Sequence, residues 1–172
     1  MSNIRTYLRT LKQIMGTPPE GMFSHASFML EYGREWKADL SSLHGDMPQR
    51  LCFMNATNKM HDHQGLTYVE GYAVHCGLPM EHAWCVDSNG KVIDPTWKPT
   101  YQSGEAVPVE AIEYFGIPFK RKYVTRTIIT RGYYGVLDNP QEHFPLYRGL
   151  VDTDEFLESR RSWAAQLIEV AV

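Results

Sequence analysis

The sequence predicts an α+β protein with helices first, an antiparallel sheet after them and a closing helix. Three observations carry that prediction. Apolar residues recur at helical spacing near the start, the chain turns to β-branched and aromatic runs from Thr67, and the last stretch opens with a helix-start pattern.

Taken in order, Ile4, Leu8, Leu11 and Met15 predict an amphipathic helix over 3–15, stopped by Gly16 and Pro18. A second helix is predicted for 24–36, weakened by Gly33, and 39–47 read as a loop. In "DMPQRLCFMNATNKM" (46–60), Asp46 is placed to cap a helix, with Gln49 as reciprocal partner and Pro48 in the first turn. That helix should end before the polar turn "HDHQG" (61–65). "TYVEGYAVHC" (67–76) predicts a strand, with Gly71 marking a bulge or a close approach. "HAWCVD" (82–87) and "KVIDPTW" (91–97) are the next two, and Pro95 ends regular pairing. "YFGIPF" (114–119) and "KYVTRTIIT" (122–130) predict one further strand after a Gly/Pro-punctuated loop. Residues 132–150 read as irregular. A C-terminal helix opens at "DTDE" (152–155), where acidic residues complement the dipole. Phe156, Leu157, Trp163, Ala164, Leu167 and Ile168 would form its apolar face. No repeat or linker interrupts the chain, so 1–172 reads as a single domain.

Composition narrows the function. At 172 residues, with 43% hydrophobic and 22% charged residues, the chain has the makings of a globular core. A net charge of -3 gives no basic footprint for nucleic acid. No apolar run approaches the roughly 18 residues of a membrane span. The N-terminal "MSNIRTYLRTLKQIM" lacks the continuous apolar core of a signal peptide. Three cysteines, Cys52, Cys76 and Cys85, lack the paired spacing of a disulfide scaffold. A reducing, cytoplasmic setting with free thiols is expected.

"EHAWCVDSNGKVIDPTW" (81–97) places His82 and Asp94 on the two arms of a hairpin, and loop length decides which side chains share a face. A two-residue Asn89-Gly90 turn would send His82 and Asp94 to opposite faces. A three-residue loop, Ser88-Asn89-Gly90 with Gly90 left-handed, would pair Trp84 with Asp94 and make His82 and Asp94 diagonal neighbours. The sequence permits both; a catalytic dyad requires the second.

The cysteines are the candidates for a nucleophile. Alternation puts Cys85 on the face opposite His82 and Trp84, and Cys76 lies at a strand end. Cys52 sits early in its helix, on a segment remote enough to pack across the sheet, where an imidazole and the helix dipole favour a reactive thiol. With a helix start at Asp46, Cys52 is nearly two turns in and the histidine must supply most of the activation.

A cysteine on a helix ("RLCFMNAT"), then histidine and aspartate in "HAWCVDSNGKVIDPTW", resembles the transglutaminase-like branch of the papain-like cysteine enzymes, over roughly 48–97. The resemblance implies a Cys52–His82–Asp94 triad. Cys52 attacks an amide carbon, His82 carries the proton, Asp94 fixes the imidazole tautomer, and an acyl-thioester is resolved by water or an amine. Peptidase, deamidase and transglutaminase chemistry all fit, on a protein, peptide or small amide and with no cofactor. For the oxyanion, the backbone N–H of Cys52 and the side chains of Gln49 or Asn55 are candidates. The sequence departs here from the papain pattern, whose glutamine lies further upstream of the cysteine. "YFGIPF" would be a flanking loop.

Other readings compete. His61 and His63, or Cys76 with His82 and Cys85, form loose metal-ligand groupings without tight C-x2-C pairs. A catalytically silent fold used for protein binding is the other alternative. Trp84 and Trp97 could flank a substrate cleft or pack in the core; Glu70 could be an acid near the site or a solvated strand residue. "RGYYG" (131–135) could be a binding loop or a plain turn.

Overall fold

The computed structural model describes residues 3–38, 40–74, 77–98, 100, 104–106, 108, 111–160 and 163. Helix α1 (Asn3–Met15) forms where the apolar spacing places it and buries Ile4 and Leu8. Helix α2 (His25–Tyr32) opens with Ser24 accepting from the Ser27 N–H. It ends four residues sooner than the sequence predicts. The Gly33 N–H closes it on the Met29 carbonyl, and the chain straightens into β1 (Arg34–Trp36). A Cβ at Gly33 would stand 2.5 Å from that carbonyl and 2.6 Å from the Phe115 ring, so glycine permits the change of direction.

Helix α3 (Cys52–Asp62) also departs from expectation. It does not start at Asp46 or Pro48, because Arg50 sits in left-handed backbone at φ 67° and no right-handed helix runs through it. Asp46 caps nothing and instead reaches Lys59 at 3.6 Å. Gln49 is exposed in the turn before the helix.

Five antiparallel strands in the order β1-β5-β2-β3-β4 curl into a half-barrel. Strand β2 (Thr67–Val74) is buried throughout, paired with β3 (Pro79–Val86) on one side and β5 (Glu113–Phe119) on the other. Register is unbroken on both sides, so Gly71 is a close approach and not a bulge: a Cβ there would lie 2.4 Å from the Phe115 carbonyl oxygen. Strand β4 (Val92–Ile93) closes the far edge.

The segments 114–119 and 122–130 do not form one further strand together. "YFGIPF" is an interior strand, and "KYVTRTIIT" lies in helix α4 (Arg121–Arg131). The β-branched content of the second segment favours a strand, but Tyr123, Val124 and Thr127 are buried and Ile128 packs against the core at helical spacing. Pro118 is tolerated in β5 because its carbonyl, and with it its nitrogen, faces the outer edge beyond the end of β1, where it accepts from the Glu158 N–H at 2.9 Å.

That same edge ends the C-terminal helix early. Helix α5 (Thr153–Phe156) is a single turn capped by Asp152, after which Leu157 bridges to Phe119. Phe156 and Trp163 do not share an apolar face. Phe156 belongs to the core between the sheet and the helices, with Phe28, Phe119 and Tyr123, whereas Trp163 packs on the other side of the sheet with Trp36, Val69 and Trp84. Ala164, Leu167 and Ile168 lie outside the described residues. Residues 132–150 are turns and bends, as predicted. No described helix is long and apolar enough to cross a membrane.

Candidate active site

The hairpin adopts the three-residue loop. The Asp87 N–H donates to the Lys91 carbonyl (3.1 Å), the Gly90 N–H returns to the Asp87 carbonyl (3.1 Å), and Gly90 is left-handed at φ 80°. The Asp87 side chain secures the turn by accepting from the N–H groups of Asn89 and Lys91 at 2.8 and 2.9 Å. Cys85 faces Ile93 and Val86 faces Val92, so the same register carries Trp84 opposite Asp94 and leaves His82 one diagonal step away.

The diagonal step becomes a hydrogen bond: His82 Nε2 lies 2.7 Å from Asp94 Oδ2. Both residues are buried, 1% and 0% exposed, so the pair is shielded from water. Among the described residues Asp94 accepts four hydrogen bonds. Oδ2 also takes the Tyr114 hydroxyl (2.7 Å), and Oδ1 takes the N–H groups of Thr96 (2.8 Å) and Trp97 (3.1 Å). Trp97 stacks on the imidazole at 4.1 Å.

Cys52 completes the line. It is the first residue of α3, half-buried, and stands close enough to His82 to help raise the imidazole's pKa. With Nε2 turned to Asp94, Nδ1 is the ring nitrogen left for another partner. Burial alone would lower the His82 pKa; the Asp94 charge and hydrogen bond, with Cys52 adding, outweigh it and raise the value to about 9. Burial would likewise raise Asp94, but His82, Tyr114 and the Thr96 N–H hold it below the usual carboxylate value.

The late start of α3 puts Cys52 at the helix N-terminus, where the dipole acts fully, and not two turns in. Leu51 at the N-cap offers no side-chain hydrogen bond. The first intrahelical bond is Asn55 N–H to Leu51 O at 2.8 Å, so the N–H groups of Cys52, Phe53 and Met54 have no carbonyl within the helix.

Asn55 is not an oxyanion donor. Its Nδ2 is committed to the Pro48 carbonyl (2.7 Å) and to Thr96 Oγ1 (3.0 Å), and the residue is wholly buried. It bolts the cysteine helix to the segment that follows Asp94. Asn55→Ala is expected to cost about 1–3 kcal/mol in urea unfolding, because Pro48 and Thr96 lose a buried partner, and to slow alkylation of Cys52. Gln49, exposed ahead of the helix, is likewise no part of the buried cluster. Trp84 is 0% exposed and packs under Tyr114 at a centroid distance of 4.9 Å, so it is core and not a cleft wall.

Cys85 lies on the other face, as alternation requires, with its thiol donating to the Ala56 carbonyl at 3.2 Å and burial pushing its pKa up to about 12. His82 and Cys85 therefore do not converge as ligands, and Cys76 lies outside the described residues. His61 and His63 are exposed at the end of α3, and no group of three His, Cys, Asp or Glu among the described residues is arranged to hold a metal ion.

Several residues of the site's surroundings escape the sequence reading. Tyr114 sits in the segment read as a loop. Glu70 is neither solvated nor in contact with the triad. Buried at 5% exposure, it accepts from the N–H groups of Val136 (2.8 Å) and Leu137 (3.0 Å) and from the Tyr68 hydroxyl (2.8 Å). Burial raises its pKa, against the pull of those hydrogen bonds. Arg131 donates to the carbonyls of Gly135 (2.6 Å) and Asp138. Glu70 and Arg131 thus hold the 135–138 loop as one wall of a cavity of about 180 Å³. Its lining includes Phe53, next to Cys52, and Glu81 and Gly71, which flank His82 in the chain and across the ladder. Tyr133 and Tyr134 of "RGYYG" line it as well. The chain matches no model of a known family, no characterised protein and no solved structure.

Proposed function

We propose that the protein is a cysteine-nucleophile hydrolase or acyltransferase with a transglutaminase-like, papain-like core, acting on an amide or peptide bond. The observation that carries this reading is the buried His82–Asp94 hydrogen bond with the Cys52 thiol close by, at an uncapped helix N-terminus. Cys52 Sγ forms a bond to the substrate carbonyl carbon, and the oxygen becomes an oxyanion within reach of a helix-terminal donor such as the Cys52 N–H. His82 then gives its proton to the departing amine as the C–N bond breaks, leaving an acyl-thioester. A histidine whose pKa stands near 9 carries that proton at neutral pH. Water or a second amine, deprotonated by His82, attacks the thioester and releases Cys52. Asp94 holds the imidazole by Nε2, so that Nδ1 faces the sulfur. A reduced thiol is needed, in keeping with a cytoplasmic setting.

The test is competitive labelling with limiting iodoacetamide, read by mass spectrometry. Cys52 is expected to react about a hundredfold faster than buried Cys85, and faster than Cys76. Product analysis on a library of peptides and primary amides should show turnover that Cys52→Ala abolishes. Cys52 labelling no faster than Cys76 and Cys85, with no product from any amide, would leave only a binding role for this fold.

A further inference from the structure

The walls around the candidate site carry free charge in one place. The cavity of about 180 Å³ beside Phe53 continues into an open groove of about 440 Å³, and the two share His25, Glu81 and Asp138. The groove then runs out between Leu11 and Met15 on α1 and Phe144 across from them. Met15 and Phe144 are 60% and 40% exposed, so the outer end is apolar and open.

Most polar groups of these walls are already committed. Both Glu70 oxygens take hydrogen bonds. Arg131 gives N–H groups to two carbonyls and stacks on Tyr133 at 3.9 Å, while its Nε is buried without a partner and its charge helps hold Asp138 ionised. Tyr147 donates its hydroxyl proton to Asp138 Oδ1 (2.5 Å), so it accepts from His25 Nδ1 (2.7 Å), and the Tyr72 hydroxyl donates to His25 Nε2 (3.0 Å). His25, above all, keeps Asp138 below the usual carboxylate range and hence ionised. What remains unclaimed among the described residues is the second oxygen of Asp138 and the exposed carboxylate of Glu81, with Tyr133 and Tyr134 beside them. Arg131 lines the inner cavity and not the open groove, so on the groove side the two carboxylates, with aromatic faces at hand, attract a cation and repel an anion.

We propose that this groove binds an extended polypeptide segment whose lysine or arginine side chain lies between Glu81 and Asp138, with an apolar side chain beyond it against Leu11, Met15 and Phe144. The occupant is a chain and not a free amine, because a lone polyamine would leave the apolar end of the groove empty. The proposal rests on Cys52 being the reactive centre and names the substrate class of that site.

Matched peptidyl electrophiles test it, with each position varied among lysine, norleucine and glutamate and the rate of Cys52 labelling measured. At one position lysine is expected to exceed norleucine about tenfold, the effect of one favourable charged contact, with glutamate slower than both. Glu81→Gln should bring the lysine/norleucine ratio close to one, and Glu81→Lys should turn the preference toward glutamate. Trimming the apolar residue from the lysine probe should slow it. Equal rates for lysine and norleucine in the wild-type protein, or a preference that survives both Glu81 variants, would overturn the cation site. Undiminished labelling by the trimmed probe would overturn the extended segment. Failure of the active-site reading is separate: iodoacetamide would then show no preference for Cys52 in the wild-type protein.

Discussion

Asp94→Ala is expected to lower the unfolding free energy by about 3–5 kcal/mol, the cost of breaking a buried charged pair from one side. The carboxylate is 0% exposed and accepts from His82, Tyr114, Thr96 and Trp97. Alanine would leave an imidazole, a hydroxyl and two N–H groups without their acceptor where water does not reach. Asp94→Asn preserves volume and keeps one oxygen for the two N–H groups. It places an amide NH₂ against the donors of His82 and Tyr114, so the tautomer is wrong even if the fold holds. Urea unfolding should therefore separate the variants, with alanine lower, while both lose about 10³-fold or more in Cys52 acylation. Near wild-type acylation in Asp94→Asn would show that the carboxylate only supports the fold.

His82→Gln is the second large effect: Cys52 acylation is expected to fall about 10²–10⁴-fold with loss of the proton carrier. The pH dependence gives the role away. His82 holds its proton more tightly in the fold, at about 9, than at its ordinary 6.5. Its contribution to stability is therefore complete below about pH 6.5 and is lost as pH rises through about 9. Asp94 works in the opposite sense: its folded pKa lies under the ordinary 3.8, so its contribution is complete above that value and lost as pH falls through the depressed one. Urea midpoints of the wild-type protein should decline between pH 6.5 and 9, the window set by His82, and any amide turnover should fall on its alkaline side as pH rises through about 9, where the proton donor is lost. A flat stability profile across that window would contradict the imidazolium–carboxylate pair.

Physical distance along the chain explains which parts of this could be read directly. The hairpin was legible because its determinants are neighbours. Asp87, Asn89 and Gly90 set the loop, strand alternation sets the faces, and His82 and Asp94 are twelve residues apart. Helix α1 was legible from its apolar period. The choice between the two hairpin loops was not, since either satisfies the local backbone. Pairing of β3 with both β2 and β4 selects the register that buries Trp84 and Val86.

Segments 114–119 and 122–130 show the limit of local preference. Glycine and proline in "YFGIPF" weaken a strand by themselves, yet Gly116 lies directly under Trp84, where a Cβ would stand 2.7 Å from the indole. The same glycine faces Gly71 across the ladder, and Pro118 meets an edge beyond β1 where only its carbonyl is called on, by the Glu158 N–H. Only the assembled sheet makes those residues suitable. Glu70, Arg131 and Asp138 were invisible as a group because sequence separation hides the loop they hold.

The sequence alone determined that His82 and Asp94 would share a hairpin, that Cys85 would face away from them, and that Cys52 would ride on a helix. Tertiary structure decided the rest. Left-handed Arg50 delays α3 until Cys52 is its first residue, Ala56 packs on Cys85, and Asn55 reaches Thr96. Those contacts bring a thiol thirty residues away close enough to His82 to act on its pKa. Alternation and turn geometry act over a few residues and are written in the local sequence; the meeting of a helix end with a strand is set by packing, which no local segment specifies.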